Sequence, residues 1–513
     1  MDRLTESAGT ENEPAALYSP TEEVFNRWRQ TLGLVLAPVV LVGMLMVPLG
    51  SLPVPAHRLA AILATVVLLW VCEALPVAVT ALLGPTLAVI LRVMPVKEAF
   101  APFADPIIFL FIGSFILAKA MYVHGLDRRI AFTALSSRLV GASAGRVLVV
   151  YGAVTTVLSM WISNTATAAM MLPIGVSVVS QLSRDSRTSP AALRQFALIM
   201  MLMTAFGASL GGMATPIGTP PNLIGIGMLR NLAGAKISFF QWMLLGVPLS
   251  LLLYAALAVW FWAIGARHVE LSAGSVRDVR NELQRLGPLS TGQRNVLIAF
   301  SLTVALWVLP GVLAVTSWDG SAFAKAYSAA VPESVAALVG GLLLFVMPID
   351  WQSRQFTMTW DRAVKIDWGT ILLFGGGMAM GSMAFSTGLA GAMGNAITDW
   401  FPSHTPLAYT ALFTGFAILL SETTSNTAAA SMVVPIAIAA SLAAGIRPIE
   451  PALGATLGAS VGFMLPISTP PNAIVYSSGL VPITSMIKYG FLLDVIGIVV
   501  VVEVVSILGP QLV

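Results

Sequence analysis

Two copies of the tripeptide Ser-Asn-Thr, at 163–165 and 425–427, carry the residue types best suited to chemistry in this chain. Amides and hydroxyls both donate and accept hydrogen bonds, and an unpaired amide in hydrocarbon costs several kcal/mol. Their oxygens suit a small hard cation such as Na⁺, whereas their donors at a helix N-terminus suit a carboxylate. One copy alone could equally be a contact between packed helices. Two copies favour a shared binding site.

A second doubled motif, Thr-Pro-Pro-Asn, lies at 219–222 and 469–472. Consecutive prolines remove two N–H donors and break a helix, so carbonyl oxygens are left free at membrane depth. Such carbonyls can coordinate cations while the next half-helix points its N-terminal dipole into the site. The alternative is a simple kink between packed helices. Gly218 and Ser468 directly precede the two copies.

Both motifs belong to an internal duplication. The Ser-Asn-Thr copies are 262 residues apart (163 to 425), and the run Phe109–Met121 aligns with Leu372–Ala384 before a shared Gly-Leu pair. The segment 121–146 carries four arginines, whereas its counterpart 384–405 has no Lys or Arg. Because basic segments stay in the cytoplasm, this contrast predicts two copies of opposite orientation, as in inverted-topology repeats.

The composition indicates where these motifs lie. Hydrophobic residues make up 57% of the 513 and charged residues 10%, which is too little charge to cover a soluble surface. The net charge of +3 gives no nucleic-acid footprint. Cys72 is the only cysteine, the four histidines lack metal-ligand spacing, and no phosphate-binding Gly-Lys loop occurs. These features disfavour an enzyme or an ATP-driven pump.

The apolar stretches predict an all-α polytopic membrane protein with inverted-topology repeats and about 11 transmembrane helices. The short runs near 105–121 and 368–383 are interpreted as two re-entrant hairpins that enter from opposite leaflets. Arg27 and Arg29 precede the first apolar run and predict a cytoplasmic N-terminus in a cell (inner or plasma) membrane.

The predicted domains are a polar cytoplasmic tail 1–30, first scaffold helices 31–100, a first transport repeat 101–235, second scaffold helices 236–362 with a cytoplasmic linker 265–294, a second transport repeat 363–487 and a C-terminal helix 488–513.

Five charged residues in or near apolar segments are weaker candidates. Glu73 is either a proton relay or a structural hydrogen-bonding group. Glu422 lies within the repeated stretch 420–428 that contains the second Ser-Asn-Thr copy and could tune cation affinity, but Met160 occupies the equivalent position. Asp494 and Glu503 are interpreted as packing or interface residues in the last helix, and Lys119 as a snorkelling charge.

Together, the doubled Ser-Asn-Thr and Thr-Pro-Pro-Asn motifs resemble the divalent-anion/sodium symporter (DASS) family, from about residue 30 to the C-terminus. The resemblance implies a homodimer in which each protomer has a scaffold domain and a transport domain that moves as an elevator. It also implies transport of C4-dicarboxylates, or in some members citrate or sulfate, usually with several Na⁺ ions.

The resemblance also assigns site residues through the matching motifs. The first sodium site would use Ser163, Asn164 and Gly218, with a carbonyl from Ser159. The second would use Ser425 and Asn426, with contributions from Ser421, Thr423 and Ser468. Contacts to the substrate carboxylates would come from Ser163, Asn164, Thr165, Ser425, Asn426, Thr427 and Pro470.

None of the four motif stretches contains Arg or Lys. A dianion bound there would therefore need Na⁺ to offset its charge, and the sequence predicts tight coupling between ion and substrate. The expected function is Na⁺-coupled uptake of succinate, malate or fumarate. A dicarboxylate exchanger, a proton-coupled carrier, or sulfate or citrate as substrate are the alternatives. The expected partners are the small dianion, Na⁺, the lipid bilayer and a second copy of the chain, with no nucleic acid.

Overall fold

The computed structural model describes residues 20–50, 52–137, 143–184, 189–266, 283–316 and 320–512, together with 269, 281 and 318. Most of the predicted tail and much of the predicted linker lie outside the described residues. Nine helices within the described ranges are long and apolar enough to cross a membrane. The number is ten if one pair bent by 61° counts as a single span. The prediction of an all-α polytopic membrane protein is confirmed.

The helices of the first half are α1 (Pro20–Met46), α2 (Val54–Val71), α3 (Val77–Ile90), α4 (Val96–Phe100), α5 (Pro106–Val123), α6 (Leu126–Leu135), α7 (Ala144–Ser159), α8 (Asn164–Arg184), α9 (Pro190–Gly212), α10 (Pro220–Ala233) and α11 (Phe239–Phe261). A 3₁₀ turn at Ala101–Ala104 precedes α5, and a π turn at Trp262–Ala266 extends α11.

The helices of the second half are α12 (Thr291–Ala314), α13 (Ala322–Ala330), α14 (Glu333–Val346), α15 (Trp360–Ala363), α16 (Trp368–Ser386), α17 (Leu389–Trp400), α18 (Pro406–Thr423), α19 (Asn426–Ala443), α20 (Ile449–Gly458), α21 (Pro470–Tyr476) and α22 (Ile483–Leu508). A small antiparallel hairpin of β1 (Pro348–Asp350) and β2 (Gln355–Phe356) precedes α15, and a 3₁₀ turn at Gly509–Gln511 follows α22.

The duplication is visible in the order of elements, because α5 to α10 recur as α16 to α21. The corner between the first two helices of each copy is a glycine in the left-handed region, Gly125 (φ +62°) and Gly388 (φ +84°), a conformation that costs glycine little. His124 at the end of α5 is 2.8 Å from the carbonyl oxygen of Thr357, shortly before α16 begins. The equivalent helices α5 and α16 therefore start at opposite ends of the molecule.

These two ends are named by their contacts. At the linker end, Arg129 donates to the carbonyl oxygens of Leu286, Gly287 and Pro288. At the Asp105 end, the Asp105 carboxylate is 2.6 Å from the Arg230 guanidinium. A Cβ at Gly145, near the start of α7, would lie 2.6 Å from the side chain of Trp262 in the turn that follows α11, so α7 starts at the linker end.

The prediction of re-entrant hairpins at 105–121 and 368–383 is wrong in position, since α5 and α16 are each one continuous helix. Their glycines are points of close helix crossing. A Cβ at Gly113 would lie 2.4 Å from the backbone of Ala337, and one at Gly376 would lie 2.3 Å from the carbonyl oxygen of Ala81. Small residues allow such approach between packed membrane helices.

The chain reverses at the Ser-Asn-Thr motifs instead. Only 160–163 separate α7 from α8, and the hydroxyl of Tyr151 on α7 donates to the carbonyl oxygen of Met171 on α8 at 2.8 Å. The two residues are equally far from the turn, so α7 and α8 form an antiparallel hairpin. Two residues separate α18 from α19, and these helices also pack together. Each motif is thus the tip of a helical hairpin.

In each half of the duplication, the helix that begins at the Thr-Pro-Pro-Asn motif packs against the other half. The helix α10, which begins at Pro220, packs on α19 and α20, whereas α21, which begins at Pro470, packs on α8 and α9. The rings of Phe206 and Phe463 are 5.0 Å apart across this contact. Because each short helix inserts into the opposite copy, the two Ser-Asn-Thr tips and both Pro-Pro breaks belong to one buried region.

Candidate functional site

The first Ser-Asn-Thr motif forms the N-terminus of α8. The hydroxyl oxygen of Ser163 accepts from the backbone N–H of Ala166 at 3.3 Å, which satisfies one free donor of the first helical turn. The hydroxyl of Ser159, at the end of α7, donates to Asn164 Oδ1 at 2.8 Å. Ser163 and Thr165 are exposed, so their hydroxyls can still donate to a ligand.

The second copy of Ser-Asn-Thr repeats this arrangement at the N-terminus of α19. Ser425 is the N-cap and accepts from the backbone N–H of Ala428 at 3.3 Å. The hydroxyl of Ser421 lies 2.7 Å from Asn426 Oδ1 and 2.8 Å from the carbonyl oxygen of Ala459. Ser159 and Ser421, predicted as cation ligands, therefore hold the two motif asparagines in the same way. In both copies the motif presents side-chain oxygens at a helix N-terminus.

The structure brings together the residues predicted for the first sodium site. Gly212, at the end of α9, packs directly on the Asn164 side chain, since a Cβ there would lie 2.4 Å from Asn164 Oδ1. A Cβ at Gly218 would lie 2.5 Å from the carbonyl oxygen of Gly212. The unwound segment 213–219 therefore folds back over the first motif and places Gly218 beside it.

The second group is assembled by the equivalent loop. A Cβ at Gly462 would lie 3.0 Å from Ser421 Oγ and 3.5 Å from the Cβ of Ser468. The hydroxyl of Ser468 lies 3.1 Å from the carbonyl oxygen of Gly462 and 2.8 Å from that of Leu465. In this copy Ser468 stands at the position equivalent to Gly218, and its hydroxyl group donates to carbonyl oxygens of the loop.

Two buried asparagines that the sequence reasoning did not assign complete the loops. Asn222 Nδ2 donates to the carbonyl oxygens of Gly212 (2.9 Å) and Thr215 (2.7 Å). Asn472 Nδ2 lies 3.3 Å and 3.0 Å from the equivalent carbonyl oxygens of Gly462 and Leu465. The signal was present, because both asparagines end a Thr-Pro-Pro-Asn copy. Each side-chain amide satisfies two carbonyl oxygens of the unwound segment that precedes the prolines.

The residues predicted to contact substrate lie at the open side of this region. Ser163, Thr165 and Pro470 are exposed, whereas Asn164 and Thr427 are half-buried. Since α21 packs on α8, Pro470 faces the same region as the first motif. The predicted set is thus distributed over two hairpin tips and one broken helix that the cross-packing of the copies brings together.

Thr423, the remaining predicted ligand, contacts a different part of the molecule. Its hydroxyl donates to the carbonyl oxygen of Leu420, and its own carbonyl oxygen is 3.5 Å from a guanidinium nitrogen of Arg29. Arg29 in turn pairs with Glu73 at 2.7 Å. The motif stretches contain no cationic side chain, but the fold brings one from α1 to the rim of the second motif. The choice between a structural role and a proton relay for Glu73 stays a prediction.

Glu422 and Asp494 hold the turn that follows α20. The Glu422 carboxylate accepts from the backbone N–H groups of Met464 (2.9 Å) and Leu465 (3.1 Å), and Asp494 Oδ1 accepts from that of Phe463 at 3.3 Å. Two carboxyl groups thus satisfy three consecutive donors of the second loop. Asp494 is buried, as a packing role requires, whereas Glu503 is exposed.

A cavity of about 1010 Å³ opens beside the first hairpin, at the linker end. One wall is a stripe of α8, with Ala169, Pro173 and Ser177. Arg128 on α6 and Arg285 also line this space. We call this space the linker-side cavity.

Asp127 also lines the linker-side cavity but is itself 3% exposed. Its Oδ1 accepts from the backbone N–H of Arg128 at 2.8 Å. Burial raises the pKa of the Asp127 carboxyl above its usual range, while the Arg128 N–H acts in the opposite direction. The carboxylate is therefore directed at the start of α6.

A duplicated helical fold with paired broken helices at one buried site defines a multi-pass membrane transport protein. The family model described as "Sodium:sulfate symporter transmembrane region" matches residues 28–513. The chain therefore belongs to this family of transporters, and it is not an enzyme. This confirms the resemblance to divalent-anion/sodium symporters.

Two curated relatives and one solved structure illustrate the similarity. The chain is 32% identical over 486 residues to a protein of Staphylococcus saprophyticus named "Sodium-dependent dicarboxylate transporter SdcS", covering 94% of this chain and 92% of the relative. The identity to the Staphylococcus aureus protein of the same name is 30%, with 94% and 91% covered. The crystal structure of the Alcanivorax borkumensis YdaH transporter shares the fold, with a TM-score of 0.54, 16% identity, and 95% and 98% of the chains covered.

Proposed function

We infer that this protein couples the entry of Na⁺ to the uptake of C4-dicarboxylates such as succinate, malate and fumarate. The observation that supports this most directly is the mirrored pair of Ser-Asn-Thr tips. Each tip places an asparagine, fixed by a serine hydroxyl, at a helix N-terminus. Two equivalent tips suit the two carboxylates of a short dianion. The names of the two Staphylococcus relatives agree with this substrate class.

Sodium binding at the same tips supplies the missing positive charge. Carbonyl and amide oxygens next to Gly212 and Gly462 suit Na⁺, and the helix N-termini contribute partial positive charge from the other side. A dianion would bind poorly to these oxygens alone, because they repel carboxylates. The ions thus bind first and create the anion site, which gives strict coupling.

Alternating access is supported by the difference between the two copies. Ala169, Pro173 and Ser177 of α8 line the linker-side cavity. The equivalent residues of α19, Ser431, Pro435 and Ala439, are covered by α16 and α17. Closing α6 on α8 in the way that α17 packs on α19 would produce the opposite state. In this mechanism the hairpins, α9 to α11 and α18 to α22 move together as an elevator.

The scaffold would then differ from the predicted 31–100 and 236–362, since α11 moves and parts of the two repeats stay fixed. The contact of Gly113 with Ala337 joins α5 to α14, and that of Gly376 with Ala81 joins α16 to α3. Helices that touch backbone to backbone cannot slide freely past one another. We therefore assign α5 and α16 to the scaffold, which forms the homodimer in a cell membrane, with the N-terminus in the cytoplasm.

The direct test is uptake of labelled succinate into proteoliposomes with an inward Na⁺ gradient or an equal K⁺ gradient, each with and without a pH gradient. We expect uptake to fall by at least about tenfold without Na⁺, which lies within the usual range of coupling between two ligands. Undiminished uptake in K⁺ would contradict Na⁺ coupling. Stimulation by the pH gradient would then indicate proton coupling, and stimulation by internal succinate would indicate exchange. Competition by malate, fumarate, citrate and sulfate would define the substrate.

A further inference from the structure

We propose that Asp105 and Arg230 form a latch that holds the protein in the state with the linker-side cavity open. Asp105 is the N-cap residue of α5, and Arg230 lies in the last turn of α10. In the mechanism proposed above, α5 belongs to the scaffold and α10 moves with the transport domain. The latch therefore joins the fixed part to the moving part, and it rests on the alternating access of the proposed function.

The contact between the two helices is close and partly shielded from water. A guanidinium nitrogen of Arg230 is 2.6 Å from both oxygens of the Asp105 carboxylate, and Asn231 Nδ2 donates to one of them at 2.9 Å. The side chain of Asp105 is 9% exposed and that of Arg230 is 26% exposed. Charge-assisted hydrogen bonds are stronger than neutral ones, so the pair stabilises the arrangement in which these helix ends meet.

A second carboxylate holds the same connection between α10 and α11. Glu333, the first residue of α14, accepts a hydrogen bond from the backbone N–H of Phe239. The ring of Phe239 stacks on Trp307, with centroids 4.5 Å apart, and the indole N–H of Trp307 donates to the carbonyl oxygen of Glu333. Arg230 and Glu333 line one cavity of about 250 Å³. The scaffold thus holds both ends of the connection at the Asp105 end, away from the open cavity.

The other half of the duplication lacks the arginine of this pair. Asp367 caps α16 as Asp105 caps α5, at the repeat offset (105 to 367), and it accepts from the backbone N–H and the hydroxyl of Thr370. At the offset of the Thr-Pro-Pro-Asn copies (219 to 469), Arg230 corresponds to Leu480. A leucine cannot pair with a carboxylate, so the opposite state would gain no equivalent latch from these positions.

Labelling of a thiol that only the opposite state uncovers tests the latch. Ser431 is 4% exposed on α19, where a Cβ at Gly377 of α16 would lie 2.9 Å from its Oγ. Ser431→Cys in a Cys72→Ser background should therefore react with a maleimide in proportion to the population of the opposite state. We expect Asp105→Asn and Arg230→Gln each to raise the labelling rate about three- to tenfold.

The two substitutions remove the same contact, so the double variant should not exceed the larger single effect. Asn at position 105 keeps a side-chain oxygen for the N-cap hydrogen bond from Ile107 N–H, since Asn and Asp cap helices about equally well. The start of α5 should therefore be retained in Asp105→Asn. A double variant in which the two single effects add would mean that the residues act separately, which would overturn the proposal.

Two controls distinguish the latch from a general loosening of the protein. Lys236→Gln is matched in charge, because Lys236 is exposed on the same connection and forms no ion pair within the described residues. Ser209→Cys is matched in burial, because Ser209 is fully buried within α9. Unchanged labelling of Ser431→Cys in the latch variants would overturn the proposal. An equal rise with Lys236→Gln, or at Ser209→Cys, would overturn it too.

The labelling measurement needs no transport, so it separates the latch from the proposed function. Succinate uptake with and without Na⁺ is measured on the same Cys72→Ser, Ser431→Cys protein before labelling. Raised labelling in the latch variants without Na⁺-dependent uptake would keep the latch and overturn the proposed function. Na⁺-dependent uptake with unchanged labelling would keep the proposed function and overturn the latch.

Discussion

The two hairpins have the same motif and the same serine–asparagine hydrogen bond, but α8 of the first is exposed along one face and α19 of the second is covered. Along α8 the stripe Thr165, Ala169, Pro173 and Ser177 is exposed. The equivalent stripe of α19 is half-buried or buried at every position, and a Cβ at Gly394 of α17 would lie 2.6 Å from the carbonyl oxygen of Ala439. The difference is in the neighbours, because α17 packs on α19, whereas α6 packs on α7.

In the proposed mechanism, this contrast opens a duplicated site to one side at a time. The binding groups are symmetric, since Ser159 and Ser421 hold Asn164 and Asn426 at 2.8 and 2.7 Å. Access is asymmetric, because α17 packs on α19, whereas its counterpart α6 packs on α7 and leaves one face of α8 exposed. Substitutions at the tips should therefore act alike in the two copies, and substitutions around them should not.

The largest effect is expected for the two equivalent asparagines, one at each tip. On the proposed function, each asparagine contacts both the cation and a substrate carboxylate, so Asn164→Ala and Asn426→Ala should each lower Na⁺-dependent uptake by about 100-fold. Expression and dimerisation, followed by size-exclusion chromatography, should remain unchanged. Asn395→Ala is the control, since Asn395 is exposed on α17. Wild-type uptake in either tip variant would refute the shared site.

A smaller and unequal effect is expected at the paired glycines. A Cβ at Gly212 would lie 2.4 Å from Asn164 Oδ1, whereas one at Gly462 would lie 3.0 Å from Ser421 Oγ. Overpacking of this kind costs about 1–3 kcal/mol, so Gly212→Ala should raise the half-saturating Na⁺ concentration about tenfold, and Gly462→Ala about threefold. Gly391→Ala is the control, because a Cβ there would meet nothing within 4 Å. If both variants shift the half-saturating Na⁺ concentration equally, the closer contact at Gly212 has no effect on Na⁺ binding.

The smallest effect is expected where the second tip docks on α1 and α2. Arg29 pairs with Glu73 and reaches Thr423, while the Thr424 hydroxyl is 3.3 Å from the carbonyl oxygen of Trp70. The ion pair is partly exposed, and such pairs contribute about 0.2–1 kcal/mol. Arg29→Gln should therefore raise maleimide labelling of Ser425→Cys by only about two- to fivefold, in a Cys72→Ser background.

The first hairpin supplies the matched control for this docking contact. Labelling of Ser163→Cys should not change in Arg29→Gln, because the described contacts of Arg29 are with the second hairpin and with Glu73. Glu73→Gln should reproduce the effect, and the double variant should not exceed it. Equal increases at both tips would mean that the pair stabilises the whole protein.

Much of the site could be predicted from the chain because the motifs are short, doubled and chemically explicit. The Ser-Asn-Thr tips fall at helix N-termini, and the Pro-Pro pairs begin short helices, as their residue types predict. The misplaced hairpins have a physical cause. A glycine-rich apolar run can be a break in a helix or a smooth face for close packing, and composition does not distinguish the two. Gly113 and Gly376 serve the second purpose, which depends on Ala337 and Ala81 far away in the chain.

The sequence by itself determined the membrane environment, the duplication and the identity of the polar groups at the site. These follow from local chemistry, because hydrocarbon excludes charge and two consecutive prolines remove the N–H donors that would continue a helix. Only the tertiary structure decided which copy is open, which glycines hold Asn164 and Ser421, and that Arg29 reaches the second tip. These features depend on contacts between residues from tens to hundreds of positions apart, and near-identical motifs acquire different access from the helices that pack beside them.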